Sequence, residues 1–142
     1  MVTALVGLAV FALVAALVVA FAFDPGPSPA ESALAYEEAW DRLDFPALWD
    51  LSGDELRDGL DRKAFVAAKQ TAYSQQLALG HLAREVTLDD TRSARSIAVV
   101  HTRVDLRDGG TARNEVRLTK RAGRWVVVAY QLRTDAPPAP AT

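Results

Sequence analysis

The stretch RSIAVVHTRVDLRDGGTARNEVRLTKRAGRWVVVAYQLR, residues 95–133, decides the fold of this chain. Apolar and polar residues alternate along it, and β-branched residues are frequent, which is typical of strands with one buried face. Two connectors, Asp108-Gly109-Gly110 and Arg121-Ala122-Gly123, divide it. Both place glycine third, as a three-residue hairpin loop with a left-handed final position requires. The predicted strands are 82–89, 95–107, 111–120 and 124–133.

The charges of the first hairpin predict its register. A loop formed by residues 108–110 places Asp105 opposite Arg113. Arg103 then falls opposite Glu115. The same register leaves the other face of the hairpin mainly apolar, and a slip of one residue would destroy both patterns.

The second hairpin is predicted by the same rule. With the loop at residues 121–123, Leu118 aligns with Val126 on the apolar face. The residues expected on the charged face are Trp125, Val127 and Ala129. Because the last strand is then apolar on both faces, we expect it to lie centrally or beneath a helix.

Three helices are predicted before the strands. The first begins at Pro29, since Ser28-Pro29-Ala30-Glu31 is a capping box with proline at the first helical position. A short helical turn is predicted at 47–51, and a brief helix after Ser52-Gly53. The longest helix, 62–79, has Asp61 as its N-cap and Gly80 as its left-handed C-terminal residue.

An uncharged apolar run extends from Val2 to Phe23. It contains no proline, and a helix needs about 20 such residues to cross a bilayer. We expect residues 1–23 to form one transmembrane anchor. A secretory signal cleaved after Ala22 is the alternative, but a positive n-region is missing and the run exceeds the roughly 7–15 residues of a signal h-region. Residues 24–29 are rich in proline and are expected to form a short linker.

The anchor fixes the expected location of the rest of the chain. No Lys or Arg precedes Arg42, so the positive-inside rule has nothing local on which to act. An export-like apolar start and the absence of cysteine favour a domain, residues 30–133, outside the cytoplasm. We expect a single-pass protein of the bacterial cell membrane whose partner is another membrane or envelope protein. The proline-rich tail, residues 134–142, is expected to be disordered.

The composition excludes several kinds of site. The chain has no cysteine, which excludes disulfides, thiolate metal sites and a thiol nucleophile. Residues 24–61 carry eleven acidic and two basic side chains, and residues 62–133 carry six acidic and fourteen basic ones. We expect these halves to neutralise each other within one fold rather than to bind nucleic acid. Neither His81 nor His101 has a second ligand residue at metal spacing, so no metal or cofactor is expected.

Several short sequence motifs resemble those of the nuclear-transport-factor-2-like superfamily. They are Ala39-Trp40-Asp41-Arg42-Leu43-Asp44-Phe45, Leu48-Trp49-Asp50-Leu51-Ser52, Asp61-Arg62-Lys63-Ala64-Phe65-Val66 and Gly123-Arg124-Trp125-Val126-Val127-Val128. The nearest relatives in pattern are extracytoplasmic domains of bacterial lipoproteins and penicillin-binding proteins. The resemblance covers residues 30–133 and implies an α+β domain, in which three helices pack on a curved four-stranded antiparallel sheet to make a cone.

The resemblance also directs attention to the inside of the cone. In that superfamily it sometimes serves enzymes similar to ketosteroid isomerases or polyketide cyclases, which hold a carboxylate or a His–Asp pair in the pocket. Here His101 and Asp105 are the acid/base candidates, but the predicted register places them on the charged face of the sheet. Five aromatic residues are candidates for lining a cavity or contacting a partner: Tyr36, Trp40, Tyr73, Trp125 and Tyr130.

Two functions follow from these expectations. The first is a non-catalytic binding or scaffolding domain, held at the cell surface by its anchor. The alternative is a small-molecule-binding protein, or an isomerase-like or cyclase-like enzyme, that uses the interior of the cone. An open pocket with a carboxylate or histidine inside it would favour the alternative.

Overall fold

The structure is a computed structural model that describes residues 12–14 and 26–133. Its helices are α1 (Pro29–Asp41), α2 (Phe45–Leu51) and α3 (Arg62–Tyr73), with 3₁₀ turns at Asp54–Leu56 and Leu77–Leu79. Its strands are β1 (Ala83–Ser93), β2 (Ile97–Leu106), β3 (Thr111–Arg121) and β4 (Arg124–Arg133). The strands form one antiparallel sheet in the order β1-β2-β3-β4. The predicted α+β fold with a four-stranded antiparallel sheet is confirmed.

The helices begin where their capping residues predict. The Ser28 hydroxyl accepts the Glu31 backbone N–H at 3.2 Å, and the Glu31 carboxylate accepts the Ser28 N–H at 2.7 Å. These bonds satisfy donors that the first turn of α1 leaves free. Donation from the Ser28 backbone holds the pKa of the Glu31 carboxyl below its usual value. The Asp61 carboxylate caps α3 in the same way by accepting the Ala64 N–H at 2.8 Å.

Helix α3 ends earlier than predicted, at Tyr73 rather than at residue 79. The Gln76 N–H donates to the Tyr73 carbonyl, and the Leu79 N–H to the Gln76 carbonyl, both at 2.9 Å. Hydrogen bonds between residues three positions apart are typical of 3₁₀ turns, so the α-helical pattern of bonds between residues four apart does not continue beyond Tyr73. The predicted role of Gly80 is also wrong, because its φ is −86° and the left-handed residue is His81, with a φ of 59°.

The core lies between the helices and one face of the sheet. Its buried apolar residues come from all three helices and from β2, β3 and β4: Ala33, Tyr36, Ala39, Phe45, Leu48, Phe65, Ala98, Val100, Val116, Leu118 and Val127. The chain after α2 is fastened to the sheet because the Gly53 N–H donates to the Val127 carbonyl at 2.7 Å. Helix α1 lies across the sheet, because its residues Ala33, Tyr36 and Ala39 are all buried in this core.

The predicted register of the first hairpin is wrong by two residues. Asp105 pairs with Thr111 rather than Arg113, and Arg103 pairs with Arg113 rather than Glu115. The loop is residues 107–109, closed by a 2.8 Å bond from the Leu106 N–H to the Gly110 carbonyl. Gly109, with a φ of 92°, is its left-handed residue.

A shift of two residues leaves each side chain of this hairpin on its predicted face. Because the predicted partners no longer lie opposite each other, arginine and carboxylate side chains pair within each strand instead of across the hairpin. Arg117 Nε donates to Glu115 Oε1 at 2.7 Å, and Arg103 Nε lies 4.0 Å from Asp105 Oδ1.

The second hairpin differs from its prediction more strongly. Its loop has two residues, Ala122 and Gly123, with φ values of 48° and 77°. Two left-handed residues make the tight turn that matches the twist of paired strands. Leu118 consequently pairs with Val127, which faces the core, and the expected position of Val127 and Trp125 on the charged face is wrong.

A β-bulge then changes the alternation of β4. The pairing shifts between Arg117 and Leu118, so that Val128 is the extra residue between the partners Val127 and Ala129. Beyond the bulge, Val116 pairs with Tyr130. Val127 and Tyr130 therefore point to the same face, although they are three positions apart. In the β1–β2 pair the register shifts between Ala83 and Glu85 and again between Leu88 and Asp90, and β1 continues to Ser93, past its predicted end at residue 89.

Within the part of the chain that the structure describes, no helix combines the length and the apolar character needed to cross a bilayer. The predicted anchor at residues 1–23 lies outside the described residues except for 12–14. Residues 24 and 25 of the linker and the tail at 134–142 also lie outside them. The anchor, the linker and the disordered tail therefore stay predictions.

Candidate functional site

A cavity of about 400 Å³ opens between α1 and the inner face of the sheet. Its exposed rim carries three leucines, Leu79, Leu82 and Leu132, which are 47%, 43% and 61% exposed. Part of its apolar wall is formed by Val86, Val104 and Leu106. At its buried end are Glu37 and Asn114, which are 4% and 5% exposed. The cavity is therefore apolar along its length and polar at its inner end.

The Glu37 carboxylate is the centre of this polar end. Its Oε1 accepts hydrogen bonds from Thr102 Oγ1 at 2.5 Å and from Asn114 Nδ2 at 2.9 Å. Its Oε2 accepts from the Tyr130 hydroxyl at 2.8 Å. The second proton of Asn114 Nδ2 is donated to the Tyr130 oxygen at 2.9 Å. Three donors directed at two oxygens are the arrangement that an ionised carboxylate accepts.

Four elements bring these side chains together. Glu37 lies on the buried side of α1, four residues after Ala33, and so points at the sheet. Thr102 on β2 and Asn114 on β3 are direct cross-strand partners. Tyr130 on β4 is the diagonal neighbour of Asn114, because Asn114 pairs with Leu132. The bulge at Val128 is what gives Tyr130 its inward direction.

The electrostatics of the site follow from burial and from the carboxylate. Burial raises the pKa of the Tyr130 phenol, and the adjacent charge of Glu37 raises it further. The phenol consequently keeps its proton and donates it to Glu37. A second carboxylate, Asp41, also lines the cavity and accepts the Ala83 N–H at 2.8 Å. Its Oδ2 lies 4.0 Å from Nδ1 of His81, whose side chain is 73% exposed.

Three of the five aromatic candidates line the cavity: Trp40, Tyr73 and Tyr130. The ring centroids of Trp40 and Tyr73 are 6.0 Å apart. Tyr36 lies in the core, with its ring centroid 5.3 Å from that of Tyr130 in an edge-to-face contact. Burial raises the pKa of the Tyr36 phenol. Trp125 is not among the residues of this cavity; its ring lies 5.9 Å from Nζ of Lys120.

The two acid/base candidates lie on the other face of the sheet. His101 Nε2 is 3.3 Å from Glu115 Oε2, and His101 Nδ1 is 4.0 Å from Asp90 Oδ2. Hydrogen bonds from Arg117 and from His101 lower the pKa of the Glu115 carboxyl. Asp105 accepts from the Thr111 hydroxyl at 3.0 Å. Neither candidate contributes to the cavity or to the Glu37 group.

Sequence reasoning missed Glu37, although the sequence contains a signal for it. Ala33, Tyr36 and Trp40 follow at the spacing of one apolar helix side, and Glu37 has the spacing of that same side. Thr102 and Asn114 likewise interrupt the apolar face predicted for the first hairpin. Polar residues on the buried faces of several elements indicate a buried polar cluster when they are considered together.

Within the described residues, no group of three or more His, Asp or Glu side chains converges as metal ligands would. The cavity itself offers two carboxylates, Glu37 and Asp41, together with hydrogen-bonding groups of Asn114 and Tyr130. It is therefore suited to bind an organic molecule with an apolar body and one polar group.

No protein-family model matches this chain. No curated protein sequence matches it either. Its fold, in contrast, is similar to that of several solved structures, and the similarities below concern the fold alone.

An NTF-2 like protein of unknown function from Shewanella oneidensis MR-1 is 24% identical, with a TM-score of 0.52 over 71% of this chain and 92% of that one. A SEC-C motif containing protein from Rhodopseudomonas palustris is 18% identical, with a TM-score of 0.52 over 73% and 77%. A de novo designed protein with a curved β-sheet is 18% identical, with a TM-score of 0.50 over 72% and 96%. The domain thus resembles the nuclear-transport-factor-2-like superfamily in fold, as its short sequence motifs predict.

Proposed function

We propose that this domain binds an apolar small molecule in the cavity between α1 and the sheet. The observation that supports this most strongly is the Glu37 carboxylate, which is buried at the inner end of an open apolar cavity. Of the two functions expected from the sequence, an accessible cavity with a carboxylate inside favours the small-molecule one over scaffolding.

The energetics of the Glu37 group support a ligand-binding role. Replacing a buried charged group and its partners with apolar residues of similar volume is often neutral or stabilising, by about 1–4 kcal/mol. A network of Glu37, Thr102, Asn114 and Tyr130 is therefore a poor way to stabilise this fold. Its polar atoms serve a purpose if they orient a ligand that enters along the leucine rim.

The hydrogen-bond pattern favours binding over turnover. The Tyr130 proton is directed at Glu37 and not at the space that a substrate would occupy. A general acid needs a proton directed at the substrate, and Tyr130 does not offer one. We therefore propose a binding protein.

We also propose that residues 2–23 anchor the protein in the bacterial cell membrane, with this domain outside the cytoplasm. The apolar run Val2–Phe23 supports the anchor. The six residues of the linker span at most about 20 Å when extended, so α1 begins close to the lipid headgroups. Apolar molecules concentrate in the bilayer, and the anchor would therefore keep this domain beside a source of apolar ligands.

The test uses the full chain in phosphatidylcholine nanodiscs and the probe 4-phenylbutan-1-ol, with empty nanodiscs as the blank. Ala112 lines the cavity, and Ala112→Trp fills part of it. Ala129→Trp is the matched control, because Ala129 pairs with Arg117 on the other face of the sheet. We expect calorimetric binding by the wild type and the control, and at least about tenfold weaker binding by Ala112→Trp. Absence of binding by the wild type, or equal binding by both variants, would refute the proposal.

A further inference from the structure

We infer that the cavity selects a cation, and that its ligand is an apolar amine carrying a positive charge. This inference rests on the proposed binding function and adds the charge of the ligand. It is carried by three observations on the cavity: the sign of its charges, the rings around them, and the acceptor that remains open on Glu37.

The charged groups of the cavity all have the same sign. Glu37 and Asp41 are acidic, and no Lys, Arg or His is among the described residues that line it. His81, which lies 4.0 Å from Asp41, has a largely exposed side chain and is outside the lining. The donors to Glu37 in the part of the chain that the structure describes, Thr102, Asn114 and Tyr130, are all neutral. A positive ligand would supply the opposite charge that this buried carboxylate lacks.

The aromatic lining favours the same kind of ligand. Trp40, Tyr73 and Tyr130 all line the cavity that holds Glu37. The face of an aromatic ring is negative and attracts a cation. An ammonium group in this cavity is therefore close to three aromatic residues and to a carboxylate.

The two oxygens of Glu37 differ in the hydrogen bonds that they accept from the described residues. Its Oε1 accepts from Thr102 and Asn114, whereas its Oε2 accepts from Tyr130. A carboxylate oxygen has two lone-pair sites, so Oε2 can accept one more donor at an open position. An ammonium carries only donors and matches this position. A carboxylate or phosphate ligand brings only acceptors and a like charge, and the same position rejects it.

The experiment compares three probes that share a phenylbutyl body: 4-phenylbutylamine, 4-phenylbutan-1-ol and 4-phenylbutanoate. Each is titrated at neutral pH into the full chain in phosphatidylcholine nanodiscs, with empty nanodiscs as the blank. We expect the amine to bind about tenfold or more tightly than the alcohol, and the carboxylate to bind most weakly. Glu37→Gln should abolish the preference for the amine while the alcohol still binds.

The matched control is Glu115→Gln, which removes a carboxylate from the opposite face and should leave the preference intact. Thermal unfolding confirms that each variant is folded, and the ranking of the three probes on the wild type decides the question even if Glu37→Gln does not fold.

The possible failures are distinguishable. Equal binding of amine and alcohol, or tightest binding of the carboxylate, would overturn the cation preference and leave the cavity function in place. Absence of binding by all three probes would overturn the proposed function itself. Retention of the amine preference in folded Glu37→Gln would show that Glu37 is not its source.

Discussion

Thr102→Val tests whether the Glu37 group is held as a charged acceptor. Thr102 is fully buried, and its hydroxyl donates to Glu37 at 2.5 Å. Loss of a hydrogen bond to a charged group costs about 1.5–3 kcal/mol. The added methyl group of valine recovers up to about 0.8 kcal/mol through apolar burial. Because both residues are β-branched, their strand propensity hardly differs, and the net loss should be about 1–2 kcal/mol.

The measurement is urea and thermal unfolding of the full chain in nanodiscs. For a domain of this size, the expected loss lowers the unfolding temperature by about 5–15 °C. Thr111→Val is the matched control, since its hydroxyl donates to Asp105 at an exposed position. That change should cost less than about 0.5 kcal/mol. If Thr102→Val costs no more than Thr111→Val, the carboxylate does not depend on its donors and the description of the site is wrong.

Four further predictions follow from features outside the cavity. Ser28→Ala removes one half of the capping box and should lower the free energy of unfolding by about 1 kcal/mol, measured by urea titration. The pKa values of the Glu31 and Glu115 carboxyls are lowered in the folded state. The stability that these groups contribute is therefore present above their unfolded pKa of about 4.3 and should be lost as the pH falls through their folded pKa values, which urea unfolding at a series of decreasing pH values measures. Gly123→Ala places a Cβ at a φ of 77° and should cost about 1–2 kcal/mol in the same urea assay. Val10→Arg should weaken insertion of the predicted anchor by about 2.5–3.5 kcal/mol, and membrane fractionation that shows no loss would contradict the anchor.

The starts of the helices were predictable because a local signal determines them. Ser28 and Asp61 accept N–H groups only three residues ahead, so the relevant chemistry is contained in four consecutive residues. The end of α3 was not predictable in the same way. Gly80 marks a C-terminus by composition, but bonds within residues 73–79 end the helix first.

The faces of the first hairpin were predictable and its pairing was not. Either Gly109 or Gly110 can take the left-handed position of the loop, and choosing between them moves every partner by two residues. Both registers bury the same side chains, so the hydrophobic pattern gives no preference. In the second hairpin, the tight turn at Ala122 was overlooked because alanine rarely adopts a positive φ.

The Glu37 group was missed for a different reason. Each of its members, taken alone, is an ordinary polar residue near an apolar stripe. Their partnership depends on contacts between residues 65, 77 and 93 positions apart in the chain. No single-segment pattern contains that information, and only the packing of α1 across three strands creates the site.

The bulge at Val128 has a consequence for how this domain can vary. The tight turn at residues 122–123 sets one alternation of side chains on β4, and the bulge reverses it before Tyr130. Deleting Val128 would remove the bulge and leave Val127, Ala129 and Tyr130 opposite their present partners, so that the Tyr130 phenol would still face Glu37. Val128 is therefore the position at which the last strand can lose one residue without changing which of its side chains face the cavity.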